Sequence, residues 1–170
     1  MTKRIAVLGF GNPVRADDGV GIYVIDQLKK QLEGEDIGIF DMGTSAFEVL
    51  FKLKGYDRII LVDAVINTEE AVGTIYKLPA AEIESEIQDD PMVFLHSLKW
   101  SQALSYAKKM LLDYYPEEIE VYLIAIDSTK FNVGMTEEAT IGGDKVVKLL
   151  LEELQGEKKW SSFRDHYLKT

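Results

Sequence analysis

The chain contains no cysteine, which excludes disulfide bonds, thiolate metal centres and a cysteine nucleophile. Any metal must then be held by nitrogen and oxygen. Histidine is scarce: His96 and His166 are the only sources of imidazole. A secretory h-region is missing, because the apolar run after Met1-Thr2-Lys3-Arg4 is short, and no later stretch is long enough to span a bilayer. The expectation is a cytoplasmic protein with no membrane insertion. Basic residues are outnumbered, 19 against 29 acidic ones, for a net charge of −10. A nucleic-acid backbone meets net repulsion from such a chain, so no nucleic-acid partner is expected. The acids are spread along the sequence, as on an ordinary solvated surface.

What is present is enough for one domain: 170 residues, 46% of them hydrophobic, bury one core and are too few for two. Ile5-Ala6-Val7-Leu8-Gly9 is an apolar run ending in glycine, the pattern of a strand buried on both faces. Beyond a loop from Gly11 to Asp17, the spacing of Val20, Val24, Ile25, Leu28 and Leu32 predicts a helix that Gly34 closes. Ile37–Phe40 predicts a second strand running into Asp41, and Phe47, Leu50, Phe51 and Leu53 a short helix ended by Gly55. Ile59–Val62 is the clearest strand and runs into Asp63. Gly73–Leu78 predicts a fourth strand, at a sheet edge given Pro79, and 80–92 reads as an acidic surface loop. Ser97 is placed to cap a helix burying Trp100, Leu104, Ala107 and Leu111, followed by a fifth strand, Ile119–Ile126, that ends at Asp127. A last helix covers about 137–154, with Val146, Leu150 and Leu154 on one side and Gly156 as its stop. Strands alternating with helices predict an α/β three-layer sandwich: a mainly parallel, five-stranded sheet with helices on both faces. Residues 1–156 form that domain, and 157–170 are a polar tail, either disordered or docked on a neighbour.

In parallel sheets ligands bind outside the C-terminal strand ends, where loops and helix N-termini meet. Asp41, Asp63 and Asp127 follow directly on apolar strands, and Asp17 and Asp18 lie in the loop after the first one. Any one of these taken alone reads equally as a cap or turn aspartate. Acids at every strand end together point to a site. His96 precedes a predicted helix start, where exposed N–H groups favour the neutral, ligating imidazole, although a lone histidine also serves as a structural hydrogen-bonder. His166, in the tail, reads as incidental. The loop Gly9-Phe10-Gly11-Asn12-Pro13-Val14 has valine where a dinucleotide fingerprint needs its third glycine. A P-loop and a Gly-x-Ser-x-Gly elbow are both absent.

Taken whole, the stretch from Gly9 to Gly21, with Gly11-Asn12 and Asp17-Asp18 inside it, resembles the opening signature G-x-G-N-x-x-x-x-D-D/E-x-x-G of the [NiFe]-hydrogenase maturation endopeptidases. Asp41-Met42-Gly43-Thr44 is similar to that family's D-x-G-T segment, Leu61-Val62-Asp63-Ala64 to its strand ending V-D-A, and His96 to its helix-opening histidine. The resemblance covers about the first 155 residues. It implies a hydrolase that removes the C-terminal extension of a [NiFe]-hydrogenase large-subunit precursor after nickel insertion. It also implies that Asp18, Asp63 and His96 bind a divalent metal: nickel presented by the substrate, with zinc or cadmium able to substitute. Two carboxylates and an imidazole suit such ions, and leave room for an outside ligand. On this reading the three residues dock on substrate nickel, while Asp41 assists attack by water.

Ala46 departs from the family pattern, replacing a glycine often found after D-x-G-T, and residues 68–91 and the tail match nothing in it. Two other classes remain open. One is a non-catalytic, metal- or cofactor-sensing binding protein of the same fold. The other is a nucleotide-binding module, which the missing third glycine opposes.

Overall fold

The computed structural model describes residues 3–66, 68–83, 99–127 and 134–167, with 157–167 as backbone alone. Five strands, β1 (Ile5–Phe10), β2 (Gly38–Gly43), β3 (Arg58–Val65), β4 (Ile75–Pro79) and β5 (Glu118–Ala125), form one sheet in the order β2-β1-β3-β5-β4. The first four strands of that order pair in parallel, and β4 runs antiparallel on β5 at the edge. Pro79, which cannot donate to a ladder, is tolerated at the end of that edge strand.

Side-chain alternation builds the three layers. Val7, Ile60 and Val62 face α1 (Val20–Gln31) and α4 (Glu137–Tyr167), where Leu28 and Leu150 are fully buried. Leu8, Ile59 and Leu61 face α2 (Val49–Lys52) and α3 (Trp100–Leu111), against Val49 and Leu104. Removing one of these side chains to alanine costs about 2–5 kcal/mol. The glycines of the first loop allow close approach of α1. A Cβ on Gly21 would lie 2.1 Å from the Phe10 carbonyl oxygen, and one on Gly9 2.1 Å from Ile25 Cγ1. The first turn of α1 therefore stands against the C-terminal end of β1.

Several element ends differ from the sequence expectation. Asp63 lies inside β3 rather than after it, because Ala64 and Val65 continue the ladder with Ile124 and Ala125 of β5. Asp41 likewise lies inside β2, which runs on through a register shift that pairs Phe10 with Gly43. α1 stops at Gln31, where the Leu32 N–H bonds the Leu28 carbonyl, ahead of Gly34. The short helix is present, but it buries Val49 and Leu53 and leaves Phe47 and Phe51 facing solvent in ring contact. A 3-10 turn, Ala80–Glu82, stands where a loop was expected. Ser97 lies outside the described residues; α3 starts at Trp100, with the Lys99 N–H bonded to Gln102 Oε1 at 3.0 Å. Gly156 does not end α4, which continues to Tyr167. A single glycine costs a helix only about 1 kcal/mol, and strong helix formers flank this one. Among the described residues no helix is long and apolar enough to cross a membrane.

Candidate functional site

The strand order fixes where a site belongs. From β1 the chain crosses to β2 on one side, and from β3 it proceeds to β4 and β5 on the other. Connections diverging from adjacent parallel strands open a crevice at their C-terminal ends. Asp18 enters that crevice from the loop after β1, and Asp63 enters it from β3.

Asp18 sits in a 3-10 turn, Ala16–Gly19, preceded by a loop that is tied down throughout. The Gly11 N–H bonds the Gly43 carbonyl at 2.9 Å, the Asn12 N–H bonds the Asp18 carbonyl at 3.1 Å, and the Asp18 N–H bonds the Arg15 carbonyl at 3.1 Å. Asn12 Oδ1 accepts the Val14 N–H at 3.1 Å, a local turn bond that asparagine makes readily. Ala16 is left-handed, with φ 50, so this turn carries backbone strain beside the acids.

The adjacent aspartates have different tasks. Asp17 is buried, and its two oxygens accept the Thr136 N–H at 2.6 Å and the Thr136 hydroxyl at 2.9 Å. Thr136 Oγ1 in turn accepts the Ala139 N–H at 3.2 Å in the first turn of α4, so Asp17 staples the loop to that helix. The Asp18 carboxyl is raised above the usual carboxylate range by partial burial, against the opposing pull of Arg15 and the Asn12 N–H.

Asp63 is held at both oxygens. Oδ1 accepts the Ala64 N–H at 2.8 Å, and Oδ2 accepts the Trp100 indole N–H at 2.9 Å. Burial nonetheless pushes its pKa up to about 6, with the neighbouring Asp18 charge adding to the rise and the two donors opposing it. Two carboxylates that are desolvated and repel each other form a poor resting arrangement and a good receptor for a cation. Oxygen donors of this kind fit a divalent ion, and among the described residues the nearby Arg15 charge does not cancel the rise at Asp18.

Asp41 is not brought into this pair. It is exposed, it pairs across β1 through Gly9, and Gly9 is level with Val62. Strand alternation therefore puts the Asp41 side chain on the α1/α4 face and that of Asp63 on the α2/α3 face, two strand spacings apart, or roughly 10 Å. Its Oδ1 accepts the Gly43 N–H at 2.8 Å. Asp127 is exposed beyond β5. His96 and the side chain of His166 lie outside the described residues. Among the described residues no group of three or more potential metal ligands comes together, so the pair is Asp18 with Asp63. Trp100 is the site residue that sequence reasoning assigned to the core alone. Its position at a predicted helix start was the available signal.

Fold and site together define an α/β domain with a pair of carboxylates at the switch crevice between two parallel strands. The model of the hydrogenase maturation protease family matches residues 22–153, beginning just past the Gly9–Gly21 loop. The chain belongs to the hydrogenase maturation protease family, and is thus a peptidase. It is similar to the hydrogenase 2 maturation protease of Escherichia coli (strain K12), at 25% identity over 134 residues, 78% of this chain and 79% of the relative. Among solved structures, the E. coli hydrogenase maturating endopeptidase HybD superposes with a TM-score of 0.73 at 23% identity, over 90% of this chain and 93% of that one. A hydrogenase 2 maturation peptidase from Thaumarchaeota archaeon SCGC_AB-539-E09 gives 0.66 at 28% identity, over 90% and 99%.

Proposed function

We propose that this protein is a cytoplasmic endopeptidase that removes the C-terminal extension of a [NiFe]-hydrogenase large-subunit precursor after nickel insertion, and that Asp18, Asp63 and His96 dock on the nickel carried by that precursor. Family membership supports the processing of hydrogenase precursors. The observation that carries the finer reading is the convergence of Asp18 and Asp63 at the β1/β3 crevice, where burial raises both carboxyls and the Asp18 charge adds to the rise at Asp63. Nickel, zinc or cadmium would all relieve that repulsion, since carboxylate and imidazole accept each of them.

Docking the substrate's metal against the pair turns cleavage into a positioned reaction, with the scissile carbonyl held across the strand ends. Water attacks the carbonyl carbon, its proton passes to a carboxylate, and the departing amine is protonated as the peptide bond breaks. Asp41 is the carboxylate we assign to this base. From two strands away it reaches a scissile bond that lies across the end of β1. Cleavage by Asp41→Asn at the wild-type rate would confine Asp41 to holding the Gly43 turn.

The test is the intact mass of a nickel-loaded large-subunit precursor after incubation with the wild type and, separately, with Asp18→Ala. Loss of a C-terminal peptide with the wild type alone is the expected result. No loss with either protein, from a precursor verified to hold nickel, would favour a binding protein that docks without cutting.

A further inference from the structure

We infer that Trp100 is a positioning residue for Asp63: its indole N–H fixes the carboxylate rotamer and occupies one oxygen, so that the remaining lone pairs face the crevice and Asp18. This rests on the reading of the acid pair given above. The Asp63 carboxylate has two internal donors, the Ala64 N–H on Oδ1 at 2.8 Å and the Trp100 Nε1–H on Oδ2 at 2.9 Å. The first comes from the residue next in sequence and travels with β3. The second comes from another element, so it is the contact that sets the side chain's orientation relative to the fold.

Indole suits the task because it donates and never accepts. It cannot compete with the carboxylates for a cation, and it brings no charge that would cancel theirs. A lysine or arginine in its place would cancel one of the two negative charges. The ring itself is held, packed against Phe10 at the end of β1 with centroids 6.5 Å apart and a tilt of 35°. Trp100 is also the first residue of α3, whose start is set by the bond from the Lys99 N–H to Gln102 Oε1. The register of α3 is thereby transmitted to the orientation of a carboxylate on β3. Loss of an outer donor to a metal-binding side chain costs about 10–100-fold in metal affinity.

The experiment titrates the full chain with Ni²⁺ alone, and separately with Cd²⁺ alone, by isothermal calorimetry, using wild type, Trp100→Phe and Asp63→Asn. The melting temperature of each protein is read without metal. Trp100→Phe keeps the ring against Phe10 and removes the N–H. The expected result is about 10–100-fold weaker binding of either ion at a nearly unchanged melting temperature, together with a raised KM for the nickel-loaded precursor and a retained kcat. Wild-type affinity in Trp100→Phe would overturn the inference and leave Trp100 as packing. Wild-type affinity in Asp63→Asn, or no uptake by the wild type, would instead remove the acid pair as the cation's receptor, and the inference with it. If Trp100→Phe fails to fold, Trp100→Leu carries the same expectation, and failure of both to fold assigns Trp100 to the core.

Discussion

The two ends of β3 handle acidic residues in opposite ways. At its first residue, Arg58 is 2% exposed and stands among three glutamates. Its Nε lies 3.6 Å from Glu118, its Nη2 lies 3.4 Å from Glu120, and the same nitrogen contacts Glu153. Lys77 adds a second cation, 3.4 Å from both Glu120 and Glu153, and the Tyr122 hydroxyl donates to Glu153 at 2.9 Å. Burial alone would raise the Glu153 pKa. Hydrogen bonds from Arg58 and Tyr122, with the charges of Arg58 and Lys77, overcome it and hold the group below the usual range. Five residues along the same strand, Asp63 has, among the described residues, two neutral donors and a second carboxylate as neighbour, and burial with that neighbouring charge raises its pKa. Acids matched with cations stabilise one end of the sheet, while at the other end a desolvated carboxylate stands beside a second one that raises its pKa further.

The sharpest way to break that contrast is Arg58→Met, which removes the buried cation and leaves Glu118 only Lys3, and Glu120 and Glu153 only the more exposed Lys77. The expected loss is about 1.5–3 kcal/mol of unfolding free energy, the worth of hydrogen bonds to charged groups, since the glutamates left behind are only part-buried; it is measured by urea denaturation at neutral pH. A change below about 1 kcal/mol would show the network to be incidental. Asp17→Ala removes both acceptors from Thr136 and should cost about 1–3 kcal/mol, whereas Asp18→Ala should leave the denaturation midpoint nearly unmoved and abolish cleavage. Equal stability losses at these neighbours would dissolve the distinction between staple and site.

Asp63 moves from an ordinary 3.8 to about 6 on folding, so between those values the folded state binds the proton more strongly than the unfolded one. Stability therefore falls as pH rises through that window. Asp63→Asn escapes the effect: like the protonated carboxyl, its amide keeps an oxygen that accepts from Trp100 and gives up the acceptor for the Ala64 N–H. It should match the wild type below about pH 4 and exceed it by about 1–3 kcal/mol above pH 6, in protein free of metal. A variant less stable at pH 7 would contradict this. Smallest of all, Tyr122→Phe deletes one hydroxyl bond to Glu153 and should lower stability by about 0.5–1.5 kcal/mol, readable as a shift in the same denaturation curve.

The sheet, its layers and the helix register of α1 and α3 were legible in the sequence because buried strands read as unbroken apolar runs and helices as spaced ones. The loop from Gly9 to Gly21 was legible as a unit, since only glycine permits α1 to approach β1 so closely. Other features depend on partners distant in the chain. Nothing local separates Asp17 from Asp18; Thr136, far along the chain, decides it. Asp63 looked like a strand terminus because the ladder that prolongs β3 belongs to β5. Trp100 looked like core because an apolar stripe does not reveal where an indole N–H points, and Arg58 went unmarked because its glutamates come from other elements. Asp41 and Asp63 looked equivalent in sequence, and only the pairing register through Gly9 and Val62 put them on opposite faces.

On the proposed function, the C-terminal end of β3 is kept for reaction at the expense of stability. The most direct measurement is cleavage of a nickel-loaded large-subunit precursor by Asp63→Asn, with the melting temperature taken on the same sample. The expected result is a rate reduced by at least about 100-fold, the scale of a lost positioning contact, in a protein that melts no lower than the wild type. Cleavage at the wild-type rate, or a loss of rate that merely follows a fall in melting temperature, would contradict it.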